Sequence, residues 1–259
     1  MTVTAPARDT PTVAAVSHSP VPLWRLTSVE LRKMADTRSG AWLLGVIGLL
    51  AVAVVTVLSL SADAPQFDFG GLLGPTVLPA AVLLPVLGVL SVTSEWSQRT
   101  TLTTYALVPR RMRVAAAKVL AALALAVLAY AACLVATAAA LPFAGGPDPW
   151  HLPAAALGKA GLYLVVNVLL GVAFGMLLLN SALAIVLYFV LPIAWSILGE
   201  MVTALARPAQ WLDLSVTSGL LLEPVMTGRD WARLGTSVAV WIVVPLVLGL
   251  IRVSRREVK

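Results

Sequence analysis

The stretch SEWSQRTTLTTYALVPRRMRVAAAK, residues 94–118, is dense in hydroxyl and arginine side chains and lies between two long apolar runs. A soluble domain has no cause to interrupt such runs this way. A chain that crosses a membrane repeatedly does, because each crossing must end in a polar segment. Working outward, apolar runs of spanning length fall at 41–61, 72–93, 114–141, 160–179, 182–204 and 234–251. About 20 apolar residues cross a hydrocarbon core of roughly 30 Å as a helix, and a helix satisfies every backbone group within its own segment. The runs therefore predict an all-α, polytopic membrane protein with six transmembrane helices.

Composition agrees. The chain has 259 residues, of which 59% are hydrophobic and 12% charged, whereas soluble domains carry roughly 25% charged and 45–50% apolar residues. The net charge of +6 would in a soluble protein raise the question of nucleic acid. Here the basic residues gather in a few segments between spans, as cytosolic retention of Lys and Arg produces. Topology thus accounts for the charge with no nucleic-acid partner. The excess of Arg over Lys, with abundant Ala, points to a GC-rich bacterial genome.

The same residues set the orientation. Arg25, Arg32, Lys33 and Arg38 precede the first run, and Arg99, Arg110, Arg111 and Arg113 follow the second. Arg252, Arg255, Arg256 and Lys259 close the chain, while 62–71 and 142–153 contain no Lys or Arg. This alternation predicts both termini in the cytosol, N-in and C-in. Segment 205–233 is expected on the extracytoplasmic side, its Arg207, Arg229 and Arg233 offset by Asp213, Glu223 and Asp230. Its Trp211 and Trp231 suit an interface, and its Leu220–Leu222 run suits a dip back into the bilayer.

Residues 1–20, rich in Thr, Ala, Ser and Pro, read as a disordered N-terminal tail with no apolar signal region. The six-helix domain then covers 21–259. Residues 22–39 form an amphipathic pattern with Arg25, Arg32 and Asp36 on one side and Leu23, Trp24, Leu31 and Met34 on the other. Arg32 and Asp36 are spaced to pair. Such a helix, carrying a Trp just before a span, is expected to lie in the membrane interface.

Reactive chemistry is sparse. There is no G-x-x-x-x-G-K-[ST] phosphate loop. The spans hold almost no ionisable side chain, which disfavours proton relays and intramembrane proteolysis. Glu200 and Arg207 fall near an outer end, Cys133 lies within an apolar run, and His18 and His151 are far apart, so no metal cluster is visible. Gly171-x-x-x-Gly175 marks close helix packing. Asn167 reads as an interhelical hydrogen-bonding group, and the intramembrane prolines as kinks.

Glu95, Trp96 and Thr100, followed by Pro109-Arg110-Arg111 and Lys118, resemble the cytosolic loop of type-2 ABC exporter permeases, especially actinobacterial ones. Glu30-Leu31-Arg32-Lys33 with Thr37-Arg38 looks like the elbow helix of that family, and Arg255-Arg256-Glu257-Val258 is similar to its basic tail. The resemblance implies that loop 94–113 holds a coupling helix, which docks with the elbow helix onto a separate ATPase chain. The residues it assigns to ATPase coupling are Glu95, Arg99, Thr100, Thr101, Tyr105, Arg110 and Arg111, with Trp24, Glu30, Arg32 and Lys33 on the elbow. Glu95 is expected to pair with a basic group on the elbow or on the ATPase. Arg99 stands where the family commonly has Gly, which favours a helix running on through this point.

The implied protein is a multi-pass permease of the bacterial cytoplasmic membrane, not itself an enzyme. It binds no cofactor, because ATP and Mg belong to its ATPase partner, and it works with a second permease copy or a homologue. Its substrate would be amphipathic or hydrophobic. A non-transporting membrane protein, such as an immunity factor or an assembly scaffold, explains the six runs equally well but leaves the loop and elbow unexplained.

Overall fold

The structure, a computed structural model, describes residues 21–61, 67–98, 110–144, 148–150 and 154–255. Among these residues there is no strand. Helix α1 (Leu23–Asp36) is joined to α2 (Arg38–Leu60) through a corner at Thr37, whose hydroxyl accepts the Gly40 amide at 3.1 Å. Gly40 suits the corner because a Cβ there would lie within 3.0 Å of the Met34 carbonyl carbon. Asp68 caps α3 (Phe69–Ser97) by accepting the Gly71 amide at 2.8 Å. Helix α4 (Arg111–Ala140) runs into a 3-10 turn at Leu141–Phe143, and α5 (Ala154–Leu178) and α6 (Ser181–Met201) form a tight hairpin. Two short helices, α7 (Ala206–Leu212) and α8 (Leu214–Gly219), lead through the Leu220–Leu222 turn to α9 (Gly228–Val238). A π turn at Ala239–Val243 joins α9 to α10 (Val244–Arg255).

Six of these segments are long and apolar enough to cross a membrane: α2, α3, α4 with its turn, α5, α6, and the run from α9 to α10. The 23 residues of α2, at about 1.5 Å each, cover about 35 Å against a core of roughly 30 Å. Helices α3 and α5 are the most enclosed, and α2 and α6 the most exposed. Lipid tails are as apolar as leucine, so helices in a bilayer associate through close packing and hydrogen bonds rather than hydrophobic burial. Gly171 and Gly175 supply the close packing within the chain. A Cβ on Gly171 would sit 2.8 Å from the Pro85 carbonyl carbon of α3, and one on Gly175 would sit 3.1 Å from Val89 Cα. Gly88 of α3 answers from the other side, against Val172 and the Val168 carbonyl.

Pro85 also removes the amide that would hydrogen-bond the Ala81 carbonyl four residues back. The buried Tyr188 of α6 takes that carbonyl instead, its hydroxyl donating at 3.3 Å. This is the repair expected where a proline breaks a helix in lipid. In the last crossing, the π turn directly precedes Pro245, whose ring disfavours a regular turn against the Trp241 carbonyl.

The α5–α6 hairpin turns on Leu179, which has φ 53°, and on Asn180, whose side chain accepts the Leu183 amide at 3.0 Å. A left-handed conformation costs a non-glycine residue about 1–2 kcal/mol, and the burial of the Leu179 side chain (7% exposed) offsets it. Arg252 Nη1 donates to the Leu177 carbonyl at 2.5 Å, covering the end of α5.

Element limits differ from the sequence reading in ways that affect the charges. Helix α3 continues to Ser97, so Glu95 and Trp96 are helical rather than in a loop. It stops before Arg99, with Gln98 at φ −90° and ψ 0°. Helix α5 begins at Ala154 and takes in Lys159, which the run 160–179 left out, while Lys118 lies in α4 within the expected run 114–141. Helix α9 starts at Gly228, inside the segment expected to be extracytoplasmic. The expected tail, 1–20, lies outside the described residues.

Candidate functional site

At the end of the bundle where α1 lies, four charged side chains from three helices form a closed ring. Glu30 and Lys33 come from successive turns of α1, Glu95 from the last turn of α3, and Lys118 from the second turn of α4. Lys33 Nζ lies 2.7 Å from Glu30 Oε1 and 2.9 Å from Glu95 Oε1. Lys118 Nζ lies 2.7 Å from Glu30 Oε2, 3.2 Å from Glu95 Oε1 and 2.8 Å from the Ser91 carbonyl oxygen. Two carboxylates and two ammoniums sum to zero, which is what makes their burial tolerable. The side chains of Lys118, Glu30 and Glu95 are 6%, 8% and 10% exposed, whereas Lys33 is 46% exposed. Partial burial pulls the Lys33 ammonium down, but its hydrogen bond and charge pairing with Glu30, and then with Glu95, outweigh this. It is held above the usual lysine value.

The ring pins an otherwise lateral helix to the bundle. Glu30 and Met34 are the buried residues of α1, and Leu31 packs against the core beside them. Leu31 and Met34 thus turn inward from the face read as apolar, while Trp24 of that face is 67% exposed, with the Arg25 guanidinium 5.5 Å from its ring centre. Among the described residues, the ion pairs of α1 are made by Glu30 and Lys33, not by Arg32 and Asp36. Arg32 is exposed.

Of the other residues assigned to coupling, Arg110 is the exposed N-cap of α4. Arg111 is half-buried, its Nη1 3.4 Å from the carbonyl oxygens of Val253 and Ser254 at the end of α10. Arg113 Nη2 donates to the Val21 carbonyl at 2.7 Å. Arg111 and Arg252 thus meet carbonyls at the C-terminal ends of helices, where cations are favoured. Arg99, Thr100, Thr101 and Tyr105 lie outside the described residues.

A cavity of about 630 Å³ opens beside the ring, bounded by α1, the start of α2, the end of α3 and Ser181 of α6. Glu30, Lys33 and Glu95 share its wall with Ser94 and Ser97, while Met34, Leu87 and Leu90 make it apolar elsewhere. Thr93 and Ser181 hydroxyls meet at 2.7 Å across α3 and α6 nearby.

No protein-family model matches this chain, and no curated protein matches it. The functional reading therefore rests on the geometry of this end of the bundle.

The opposite end holds a second polar group of a different character. Buried Lys159 donates to the carbonyls of Glu223 and Pro224, at 3.0 Å for Pro224, and so fastens the segment after the Leu220–Leu222 turn to α5. Buried Asp213 caps α8 through the Val216 amide and accepts from the Ser196 hydroxyl. Trp241 Nε1 donates to the Leu212 carbonyl at 2.6 Å. All of these bonds tie helix ends together. Cys133 is buried, its thiol 3.6 Å from the Thr76 carbonyl oxygen. Among the described residues, no three or more His, Cys, Asp and Glu side chains are grouped to hold a metal.

From the sequence alone Glu30, Lys33 and Glu95 stand out separately, with Glu95 expected to meet an unspecified basic group of the elbow or of an ATPase. Lys118 stands there only as the end of a motif. The available signal was charge sign: two acids and two bases on three separate helices.

Proposed function

We propose that this chain is the membrane-spanning permease subunit of an ATP-driven ABC exporter of the bacterial cytoplasmic membrane. Both termini face the cytosol, the ATPase subunits are separate chains, and a second copy or a homologue completes the pathway. The observation that carries this reading is the ring of Glu30, Lys33, Glu95 and Lys118. It joins α1 to the two helix ends that flank 98–110, so a push on either α1 or that segment is passed directly into α3 and α4. Through the close packing of Gly171 and Gly175 on α3, the push reaches α5. A membrane scaffold has no use for such a linkage. A permease moved by an external ATPase requires one.

The ring itself is too enclosed to be the ATPase contact. Exposed Arg110 is the better docking group, since an ATPase carboxylate would pair with it without disturbing a bond inside the chain. The experiment is co-purification of an ABC ATPase with this chain and reconstitution of the pair, comparing the natural protein with Arg110→Glu. Loss of substrate-stimulated ATP hydrolysis with normal membrane insertion is the expected outcome. Unchanged stimulation, or failure of any ABC ATPase to co-purify, would favour the scaffold reading.

A further inference from the structure

We infer that the cavity beside the ring is a binding site for the ammonium head of an amphipathic amine, and that Lys33 occupies its cation position as a tethered competitor. The Lys33 ammonium touches Glu30 Oε1 and Glu95 Oε1 at 2.7 and 2.9 Å, and its side chain, at 46% exposure, is the only half-open member of the ring. Lys118 is enclosed, and its ammonium is held by the same two acids and the Ser91 carbonyl. Swinging Lys33 outward would take one positive charge away from two buried carboxylates. The site would then be one positive charge short beside a cavity of about 630 Å³, a size within the ordinary range for small-molecule sites.

A primary or secondary ammonium restores the balance by donating to the same two oxygens. The hydroxyls of Ser94 and Ser97 offer acceptors for its remaining hydrogens, and Met34, Leu87 and Leu90 receive the first carbons of its hydrocarbon body. A neutral alcohol of equal length makes the apolar contacts but cannot replace a cation. An anionic amphiphile meets Glu30 and Glu95 directly and is repelled. The ligand class is therefore cationic, and its source is either a free amine or the amino headgroup of a membrane lipid. A role in transport rests on the permease reading, whereas occupancy of the site does not, so binding is measured on this chain without an ATPase.

The full chain is reconstituted in nanodiscs of phosphatidylcholine and phosphatidylglycerol and titrated calorimetrically with dodecylammonium or dodecanol, subtracting empty nanodiscs. Saturable binding of dodecylammonium, and none of dodecanol, is expected. Lys33→Gln removes the competitor and tightens amine binding by at least about tenfold, the worth of one charge-assisted hydrogen bond. Lys33→Arg keeps a tethered cation and leaves affinity near that of the natural protein, and Glu95→Gln weakens it. Adding phosphatidylethanolamine separates the two sources, since weakened amine binding identifies the lipid headgroup and unchanged binding a free amine. Equal binding of dodecanol and dodecylammonium would overturn the inference. So would a folded Lys33→Gln protein whose amine affinity is unchanged or lower. Neither result bears on whether an ATPase binds elsewhere.

Discussion

Replacing Lys118 by Met tests the ring most directly. The side chain keeps its length, but three contacts disappear: Glu30 Oε2 at 2.7 Å, Glu95 Oε1 at 3.2 Å and the Ser91 carbonyl oxygen at 2.8 Å. Lys33 must then balance two carboxylates that are 8% and 10% exposed. Removing one partner of a buried ion pair costs about 3–5 kcal/mol. Because Lys33 still bridges both acids, the lower end of that range, about 3 kcal/mol, is expected. The sign of the cause is checked by a second substitution. Lys118→Met with Glu95→Gln leaves Glu30 and Lys33 as a balanced pair, so the double variant should recover at least about 1 kcal/mol over the single one. Unfolding by sodium dodecyl sulfate in mixed micelles, followed by tryptophan fluorescence, measures both differences. The reasoning fails if Lys118→Met unfolds within about 1 kcal/mol of the natural chain, or if adding Glu95→Gln weakens it further.

Three other outcomes follow from the same geometry. Gly171→Ala places a methyl group against the Pro85 carbonyl and should cost about 1–3 kcal/mol by overpacking. Gly48→Ala, with nothing within 4 Å of the new atom, serves as the control, and equal stability of the two would count against the α3–α5 contact. Tyr188→Phe keeps the edge-to-face contact with Phe189, ring centres 4.8 Å apart, but orphans the Ala81 carbonyl, a loss of about 1 kcal/mol in the same assay. The raised pKa of Lys33 makes its contribution fully present below the unfolded value of about 10.4 and lost as pH rises through the folded value, above 10.5. The stability gap between the natural chain and Lys33→Met should therefore be constant through neutral pH and close only in strong alkali. A gap that closes near pH 7 would refute the assignment.

The long helices were legible from the sequence because apolar run length alone reports them. Their ends were less so. Residues 94–97 look like loop because Ser, Glu and Trp interrupt the apolar run, yet α3 continues through them, since Glu95 finds two ammoniums there. The inward face of α1 was legible only in part: Leu31 and Met34 turn inward as their spacing suggests, but the burial of Glu30 beside them does not show. Spacing puts Glu30 on the side of Leu23 and Met34, but only Lys118, from a distant helix, makes its burial there favourable. Local periodicity carries no information about such a partner. The role of Tyr188 was equally hidden, because its acceptor exists only where Pro85 withholds an amide. Gly171 and Gly175, by contrast, signalled close packing through spacing alone, though not which helix they would meet.

The distance between Glu30 and Lys118 along the chain also sets an order of events during synthesis. The two are 88 residues apart, and at about 5–20 residues per second a ribosome needs roughly 4–18 seconds to make the second after the first. Through that interval α1 and α2 exist without the cation that draws Glu30 inward, and within α1 its carboxylate has Lys33 alone. Helix α1 is made first and seated only after α3 and α4 have been inserted. Docking of α1 thus marks the arrival of the fourth helix, and any surface that includes α1 becomes complete only once that checkpoint has passed.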